Sequence, residues 1–210
     1  MGHYRNTLIK RGTDLVLTAG GLLLLWPILL GLGILVRWRL GKPVLFRQER
    51  PGLHERPFTL YKFRTMTEER DVHGKLLPDG KRLTPLGRWL RQTSLDELPE
   101  LLNVLNGDMS LVGPRPLYSH YLRWYNSRER LRHEVLPGLT GWAQIHGRNW
   151  LPWDQRLSLD VWYVENRSWV LDMKILLKTV VLVLNRHGVS ADAWDAEIDL
   201  GIERGGEPPP

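Results

Sequence analysis

The chain's most prominent hydrophobic pattern is a run of 22 residues without a charge, Leu15 to Val36. At about 1.5 Å per residue, a helix of that length reaches across a hydrocarbon core of about 30 Å. Two features distinguish it from a plain span. Pro27 falls near its middle, where it removes a backbone hydrogen bond and kinks a helix. Both flanks are basic, with Arg5, Lys10 and Arg11 before and Arg37, Arg39 and Lys42 after, so the positive-inside tendency asks for both ends on the cytoplasmic side. On pattern alone, a spanning helix and a re-entrant helix that dips into one leaflet and returns both stay open. A cleaved signal peptide fits poorly, because its apolar part is about 7–15 residues long and ends at small residues, whereas Arg37-Trp38-Arg39 follows here.

Beyond this run the pattern shortens. Val44-Leu45-Phe46 and Phe58 to Phe63 are β-prone stretches separated by the turn-rich Arg50-Pro51-Gly52, which predicts a small hairpin. A two-residue period puts Lys62 and Arg64 on one face, opposite Tyr61 and Phe63; this face suits a phosphate or is a solvated strand edge. Residues 65–82 read as a polar loop. Helices are predicted from near Pro85, carrying Arg88 and Arg91, from about Gln92 to Leu105 with a stop at Asn106-Gly107-Asp108, from Leu117 to Val135, and from Leu171 to Asn185. The stretch Ile175–Leu184 is short and contains Lys178, so it reads as a core-facing or interfacial helix and not a second span.

Composition narrows the chemistry. The 210 residues suit one domain with a real core. A net charge of +6 points to an anionic partner: phosphate, nucleic acid or a membrane face. The surplus is local, since residues 42–91 hold twelve Lys and Arg against six acids, while 190–210 hold six acids, one Arg and a closing Pro-Pro-Pro, which reads as a flexible tail. The absence of cysteine excludes disulfides, zinc-thiolate sites, iron-sulfur clusters and Cys nucleophiles. Ten Trp suit a membrane interface.

Several familiar sites are absent: no G-x-G-x-x-G, Walker A or G-x-S-x-G occurs, and no D-x-D diphosphate clamp. What remains is Ser94-Leu95-Asp96-Glu97. Its spacing is that of a capping box, with Asp96 favoured by the helix dipole. Adjacent carboxylates at a helix start, near Arg88 and Arg91, also suit a nucleophile and metal ligand for phosphoryl transfer. Arg115, between Pro114 and Pro116, suits a preorganised anion contact. In Thr140-Gly141-Trp142-Ala143-Gln144-Ile145-His146-Gly147-Arg148-Asn149 the glycines allow close backbone approach to a ligand, Arg148 suits a phosphate, and Trp142 packs or stacks. Three classes stay open on these residues: a transferase of sugar phosphate, an ordinary membrane-anchored glycosyltransferase that releases UDP, and a non-enzymatic basic module that binds anionic lipid or nucleic acid.

The ordered set Lys10-Arg11…Asp14, Arg47-Gln48-Glu49-Arg50-Pro51-Gly52, Tyr61-Lys62-Phe63-Arg64-Thr65-Met66, Ser94-Leu95-Asp96-Glu97-Leu98-Pro99, Gly113-Pro114-Arg115-Pro116 and Thr140-Gly141-Trp142…Gly147-Arg148-Asn149 resembles the bacterial sugar transferase family, the monotopic phosphoglycosyl transferases. The likeness covers about residues 8–190, and the length resembles the minimal form of the family. It implies an α+β fold: a re-entrant membrane helix broken at Pro27 within residues 1–42, a compact, mainly helical catalytic domain with a small β element over 43–189, and a tail over 190–210. Where the family commonly has Ser before that proline, this chain has Trp26.

The activity implied is transfer of a sugar 1-phosphate from a UDP-sugar to undecaprenyl phosphate with release of UMP, initiating membrane-linked glycan assembly. By the matching motif, Asp96 is the nucleophile that forms an aspartyl phosphosugar. Glu97 helps bind Mg²⁺ or positions the nucleophile, Lys62, Arg91 and Arg115 hold phosphate, and Arg64, Gln144 and Arg148 lie on the nucleotide-sugar side. Arg70-Asp71 through Arg82-Leu83, Leu131-Arg132-His133 and Gly188-Val189-Ser190 resemble the members that use UDP-diacetylated bacillosamine. The expected setting is the cytosolic face of the bacterial inner membrane, with lipid and downstream glycosyltransferases as partners and no nucleic acid.

Overall fold

Helix α1 (Thr7–Leu40) takes up the whole apolar run and continues through Pro27, where the sequence pattern predicts a break. It is long and apolar enough to cross a membrane. Asp14, Thr18, Leu32 and Val36 are buried, and Leu22 and Leu29 between them pack on the core, so a stripe with helical spacing lies against the rest of the chain. The other side, with Leu23, Leu24, Trp26, Leu30 and Ile34, is exposed. The sequence hides this division, because the run is apolar all round. The computed structural model describes residues 7–147, 151–185 and 199–206.

Strands β1 (Leu45–Pro51) and β2 (Pro57–Phe63) form the predicted antiparallel hairpin, with Leu45 opposite Phe63 and Pro51 opposite Pro57. The polar loop that follows holds two isolated β-bridges and a single turn of helix, α2 (Asp79–Arg82). Helix α3 (Pro85–Gln92) starts where expected; Thr84 caps it by accepting from the Gly87 N–H, and Pro85 occupies the first turn, where a missing N–H costs nothing. Helix α4 (Glu100–Asn106) ends at Gly107, which takes φ 90°.

A short parallel pair then joins β3 (Ser110–Val112) to β4 (Gly138–Thr140), an element the sequence pattern did not predict. Its seam is tight: a Cβ on Gly141 would lie 2.1 Å from the Gly113 carbonyl oxygen, and one on Gly138 would lie 2.1 Å from the Gly113 nitrogen. These glycines therefore admit neighbouring backbone, not a ligand. The predicted helix from Leu117 to Val135 is instead two 3₁₀ segments, Ser119–Trp124 and Glu129–His133. Helices α5 (Trp153–Asn166) and α6 (Trp169–Leu184) follow. Trp169, Val170, Leu177, Val180 and Val181 of α6 are exposed, as an interfacial helix would have them.

The core is in three parts. The largest surrounds Leu60, Val104, Met109, Val112, Tyr163 and Ile175; a second holds Leu117, Tyr121, Trp153, Leu157 and Leu200; the third joins Leu32 and Val36 of α1 to Phe63 and Leu90. Within the stretch read as a tail, residues 199–206 pack on the domain: Leu200 is fully buried in a helical turn, Leu200–Glu203, and Arg204 bonds Glu129 and Asp154, while 190–198 and 207–210 lie outside the described residues.

Polar contacts also join α1 to the domain. Lys10 pairs with Asp172 at 2.6 Å, Arg11 donates to the carbonyls of Val104 and Leu105 at the end of α4, and Asp14 accepts from Ser110 Oγ at 2.7 Å and from the Leu111 N–H. Two residues of the basic N-terminal flank thus serve as attachments between helix and domain.

Candidate active site

Asp96 and Glu97 lie on a single 3₁₀ turn, Leu95–Glu97, between α3 and α4. The capping-box reading fails here: Ser94 has φ 56° and ψ 18°, and its side chain makes no capping hydrogen bond. A left-handed, non-glycine residue at this point turns the chain sharply out of α3. The turn leaves Asp96 8% exposed.

Around it the cations come from separate elements. Lys62, near the end of β2, donates to Glu97 Oε1 at 2.7 Å and lies 3.2 Å from Glu100 Oε1. Arg115 donates to the same Glu97 oxygen at 2.5 Å. Arg91, in the last turn of α3, donates through Nε to Thr65 Oγ1 at 3.2 Å and lowers the charge cost of an ionised Asp96. Structure thus brings together five of the expected residues: Asp96, Glu97, Lys62, Arg91 and Arg115.

The electrostatics follow from burial against these cations. Burial raises the Asp96 carboxyl above its ordinary value, with Lys62, Arg91 and Arg115 opposing and Glu97 adding to the rise. Burial would raise Glu97 as well, but Arg115 and Lys62 outweigh it and hold that carboxyl well below the usual range. Glu100, at the start of α4, is pushed up to about 7, mainly by burial. Burial therefore pushes Asp96 and Glu100 up, while Glu97 is held down by its two cations.

The other expected residues stand elsewhere. Arg64 does not share a partner with Lys62: β2 ends at Phe63, and the Arg64 guanidinium turns to the Lys42 carbonyl at 2.9 Å and to Glu68 at 3.7 Å. The Gln144 amide is buried with neither its oxygen nor its nitrogen hydrogen-bonded, and no described contact joins it to Asp96. Trp142 stacks on Trp162, centroids 4.6 Å apart, so it packs and does not face a ligand. Arg148 lies outside the described residues.

Structure adds supports that the sequence gave little sign of. Asn103, fully buried on α4, donates to the Thr59 carbonyl at 2.7 Å and accepts from the Tyr61 N–H at 3.1 Å, which fixes the strand that carries Lys62. Arg132, paired with Asp160 at 2.8 Å in the interior, donates to the Arg115 carbonyl at 2.6 Å and so holds the Pro-Arg-Pro segment. Single buried polar residues on short helical segments carry no period of their own, so only the constellation in space identifies them.

Lys62, Glu100 and Arg115 also line a cleft that runs on past Arg50, Leu117, Tyr118, Tyr121, Trp153 and Arg156. Such a site, with a buried carboxyl beside clustered cations, can bind a phosphorylated substrate and attack phosphorus with a carboxylate oxygen.

Comparison with known proteins agrees with this geometry. The chain is 61% identical over 154 residues to an uncharacterized sugar transferase, EpsL, of Bacillus subtilis (strain 168), covering 73% of this chain and 76% of that protein. It is 40% identical over 187 residues to the UDP-glucose:undecaprenyl-phosphate glucose-1-phosphate transferase of Escherichia coli (strain K12), covering 83% of this chain and 40% of that one. It is 38% identical over 189 residues to the UDP-N-acetylgalactosamine-undecaprenyl-phosphate N-acetylgalactosaminephosphotransferase of Aeromonas hydrophila, covering 86% and 44%. The chain spans about two-fifths of the length of the last two. The model of the bacterial sugar transferase family matches residues 5–186, and the chain belongs to that family.

Proposed function

We propose that this protein moves a sugar 1-phosphate from a UDP-sugar to undecaprenyl phosphate, releasing UMP, through a covalent intermediate on Asp96. The observation that carries this reading is the buried Asp96 carboxyl set on a turn beside Glu97 and faced by Lys62, Arg91 and Arg115. Names of relatives in Escherichia coli and Aeromonas hydrophila, both undecaprenyl-phosphate sugar-phosphate transferases, point the same way.

In the first step an Asp96 carboxylate oxygen attacks the sugar-bearing phosphorus. The bond from that phosphorus to the bridging oxygen breaks, and UMP leaves with the electron pair. In the second step a phosphate oxygen of undecaprenyl phosphate attacks the same phosphorus, and the carboxylate leaves. Two in-line displacements replace one meeting of two anions, and the cations stabilise the charge spread over the phosphoryl oxygens. Lys62 and Arg115, anchored on Glu97, are held in place before substrate arrives.

Asp96 and Glu97 are the side chains that would hold Mg²⁺. This ion is usually bound through one or two carboxylates together with substrate phosphates and water. Asp96 and Glu97 share one turn, and Arg115 and Lys62 hold the Glu97 carboxyl ionised, so the donor set has the hard oxygen chemistry this ion takes. When bound, the ion offsets diphosphate charge.

The reading includes a re-entrant α1 with the active site on the cytosolic face. What supports it is that both flanks of the apolar run are basic, and that Lys10 and Asp14 near one end and Val36 near the other pack on the same domain. The donor is read as an N-acetylated amino sugar such as diacetylated bacillosamine, and the product then passes to downstream glycosyltransferases.

Nucleotide release tests the reading. Purified full-length chain in nanodiscs, with Mg²⁺ and undecaprenyl phosphate, is offered UDP-glucose, UDP-galactose, UDP-N-acetylgalactosamine and UDP-diacetylated bacillosamine. UMP from the wild type and none from Asp96→Asn is expected. UDP as product would assign an ordinary glycosyltransferase, and no nucleotide with any donor would remove the enzymatic reading.

A further inference from the structure

The C-terminal turn lies beyond the residues 5–186 that the family model matches, yet it is tied to one wall of the cleft. That wall is aromatic. Tyr118, Tyr121 and Trp153 line it, with Tyr118 edge-on to Tyr121 at 5.6 Å between ring centres and Tyr121 edge-on to Trp153 at 5.2 Å. His120 stacks on Tyr118 at 5.3 Å and meets Tyr121 edge-on at 4.5 Å.

Asp199, which opens the turn Leu200–Glu203, holds two of these four rings. One of its oxygens lies 3.1 Å from His120 Nε2, Tyr121 also hydrogen-bonds to the carboxylate, and the other oxygen accepts from the Gly201 N–H at 2.8 Å. Burial opposes ionisation, but the bonds from His120, the Gly201 N–H and Tyr121 outweigh it and hold the Asp199 carboxyl below its ordinary value. The rest of the turn fixes where that carboxylate stands. Leu200 is buried among Leu117, Tyr121 and Trp153, and a Cβ on Gly201 or Gly206 would meet the Trp124 indole at 2.8 or 2.3 Å. Arg204 closes the far end on Glu129.

Edge-to-face pairs hold rings at defined angles, and a buried tyrosine hydroxyl takes a polar partner. Asp199 therefore sets the angle of Tyr121 directly and that of Tyr118 through His120. We propose that Asp199 is a positioning residue for donor binding, and that residues 199–206 complete the cleft by fixing its aromatic wall. On the sugar-phosphate transferase reading, on which this rests, Lys62 and Arg115 hold the transferred phosphate at one end of the cleft, and a donor seated there runs against the wall. Asp199 itself touches no substrate. Ordering a binding wall beforehand removes part of the cost of binding, so the effect falls on donor KM and not on the displacement steps.

Donor KM, acceptor KM, kcat and Tm are measured in nanodiscs, with the UDP-sugar from which wild type releases UMP, for full-length wild type, Asp199→Ala, Tyr121→Phe, their double variant and Arg204→Ala. Asp199→Ala and Tyr121→Phe are expected to raise donor KM about fivefold, the worth of about one hydrogen bond, with kcat and acceptor KM near wild type. The double variant should be no worse than Asp199→Ala, since the two changes remove one contact. Arg204→Ala lowers Tm and leaves donor KM unchanged, because Asp199 and Leu200 stay in place. Should Asp199→Ala fail to fold, Tyr121→Phe keeps the ring and the turn and carries the same readouts. Wild-type donor KM in both single variants, additive effects in the double variant, or an equal rise in Arg204→Ala overturns the proposal, the last because it would mean general loosening. A rise confined to acceptor KM overturns it as well. A wild type that releases no UMP at all defeats the underlying transferase reading, a result separate from a working enzyme whose variants bind donor normally.

Discussion

Lys62 Nζ and Arg115 Nη2 converge on one oxygen of Glu97, at 2.7 and 2.5 Å. One cation comes from a hairpin strand and the other from a Pro-Arg-Pro segment, so Glu97 fixes both beside Asp96. Glu97→Ala removes the shared partner of two buried cations, and a loss of about 3–5 kcal/mol in stability is expected, read as a large drop in Tm in detergent. Glu97→Gln keeps the shape and loses the charge. It should fold, with turnover reduced about 10- to 100-fold; wild-type turnover in that variant would deny Glu97 its role.

Glu100 gives the site a pH signature. Burial pushes its carboxyl up to about 7 from the ordinary 4.5, with Lys62 pulling down and Glu97 pushing up. Between those values the folded protein keeps a proton that the unfolded chain has lost, so this group's contribution is full below about pH 4.5 and is lost as pH rises to about 7. Buried His133, held down to about 3 by burial and Arg132, acts in the opposite sense, since the folded state refuses a proton the unfolded chain takes up below about 6.5. The difference in Tm between wild type and Glu100→Gln isolates the first effect. It should shift against the wild type as pH rises from 4.5 to 7, and a flat difference would contradict the assignment.

Arg11 closes the end of α4 by donating to two of its last carbonyls. The Val104 carbonyl accepts as well from the capping Gly107 N–H at 3.2 Å, and a cation at these last carbonyls also meets the negative end of the helix dipole. Arg11→Ala is expected to cost about 1–3 kcal/mol, seen as a lower Tm with Asp172 still paired to Lys10. A neutral effect would mean that α1 is held by its apolar stripe alone.

Leu200 tests the C-terminal clasp. It is fully buried with Trp153 and Tyr121, two residues that also line the cleft. Leu200→Ala should lower stability by about 2–5 kcal/mol, measured by thermal unfolding. A flexible, dispensable tail would give no change.

The sequence made some of this legible and concealed the rest for identifiable reasons. The hairpin could be read because β-prone residues bracket a Pro-Gly turn, and α3 because Thr84-Pro85 is a helix start that acts locally. Asp96, Glu97, Lys62, Arg91 and Arg115 came from motifs in order, and the structure joins them. The stretch from Leu117 to Val135 has helical apolar spacing, but its aromatic residues serve a core shared with Trp153 and Leu200, and it settles into 3₁₀ turns. Strands β3 and β4 are three residues each, too short for a period, and their pairing depends on glycine contacts between distant segments. Ser94 has the spacing of a cap, but its left-handed backbone belongs to a turn set by what surrounds Asp96.

The central claim is that Asp96 carries the phosphosugar. The most direct measurement is intact-protein and peptide mass spectrometry after incubation with Mg²⁺ and the UDP-sugar that releases UMP, in the absence of acceptor and with rapid acid quench. A mass increase of one sugar phosphate on the peptide containing Asp96, absent in Asp96→Asn and discharged by added undecaprenyl phosphate, is the predicted result. Full turnover with no adduct in wild type, or the same adduct in Asp96→Asn, would contradict it.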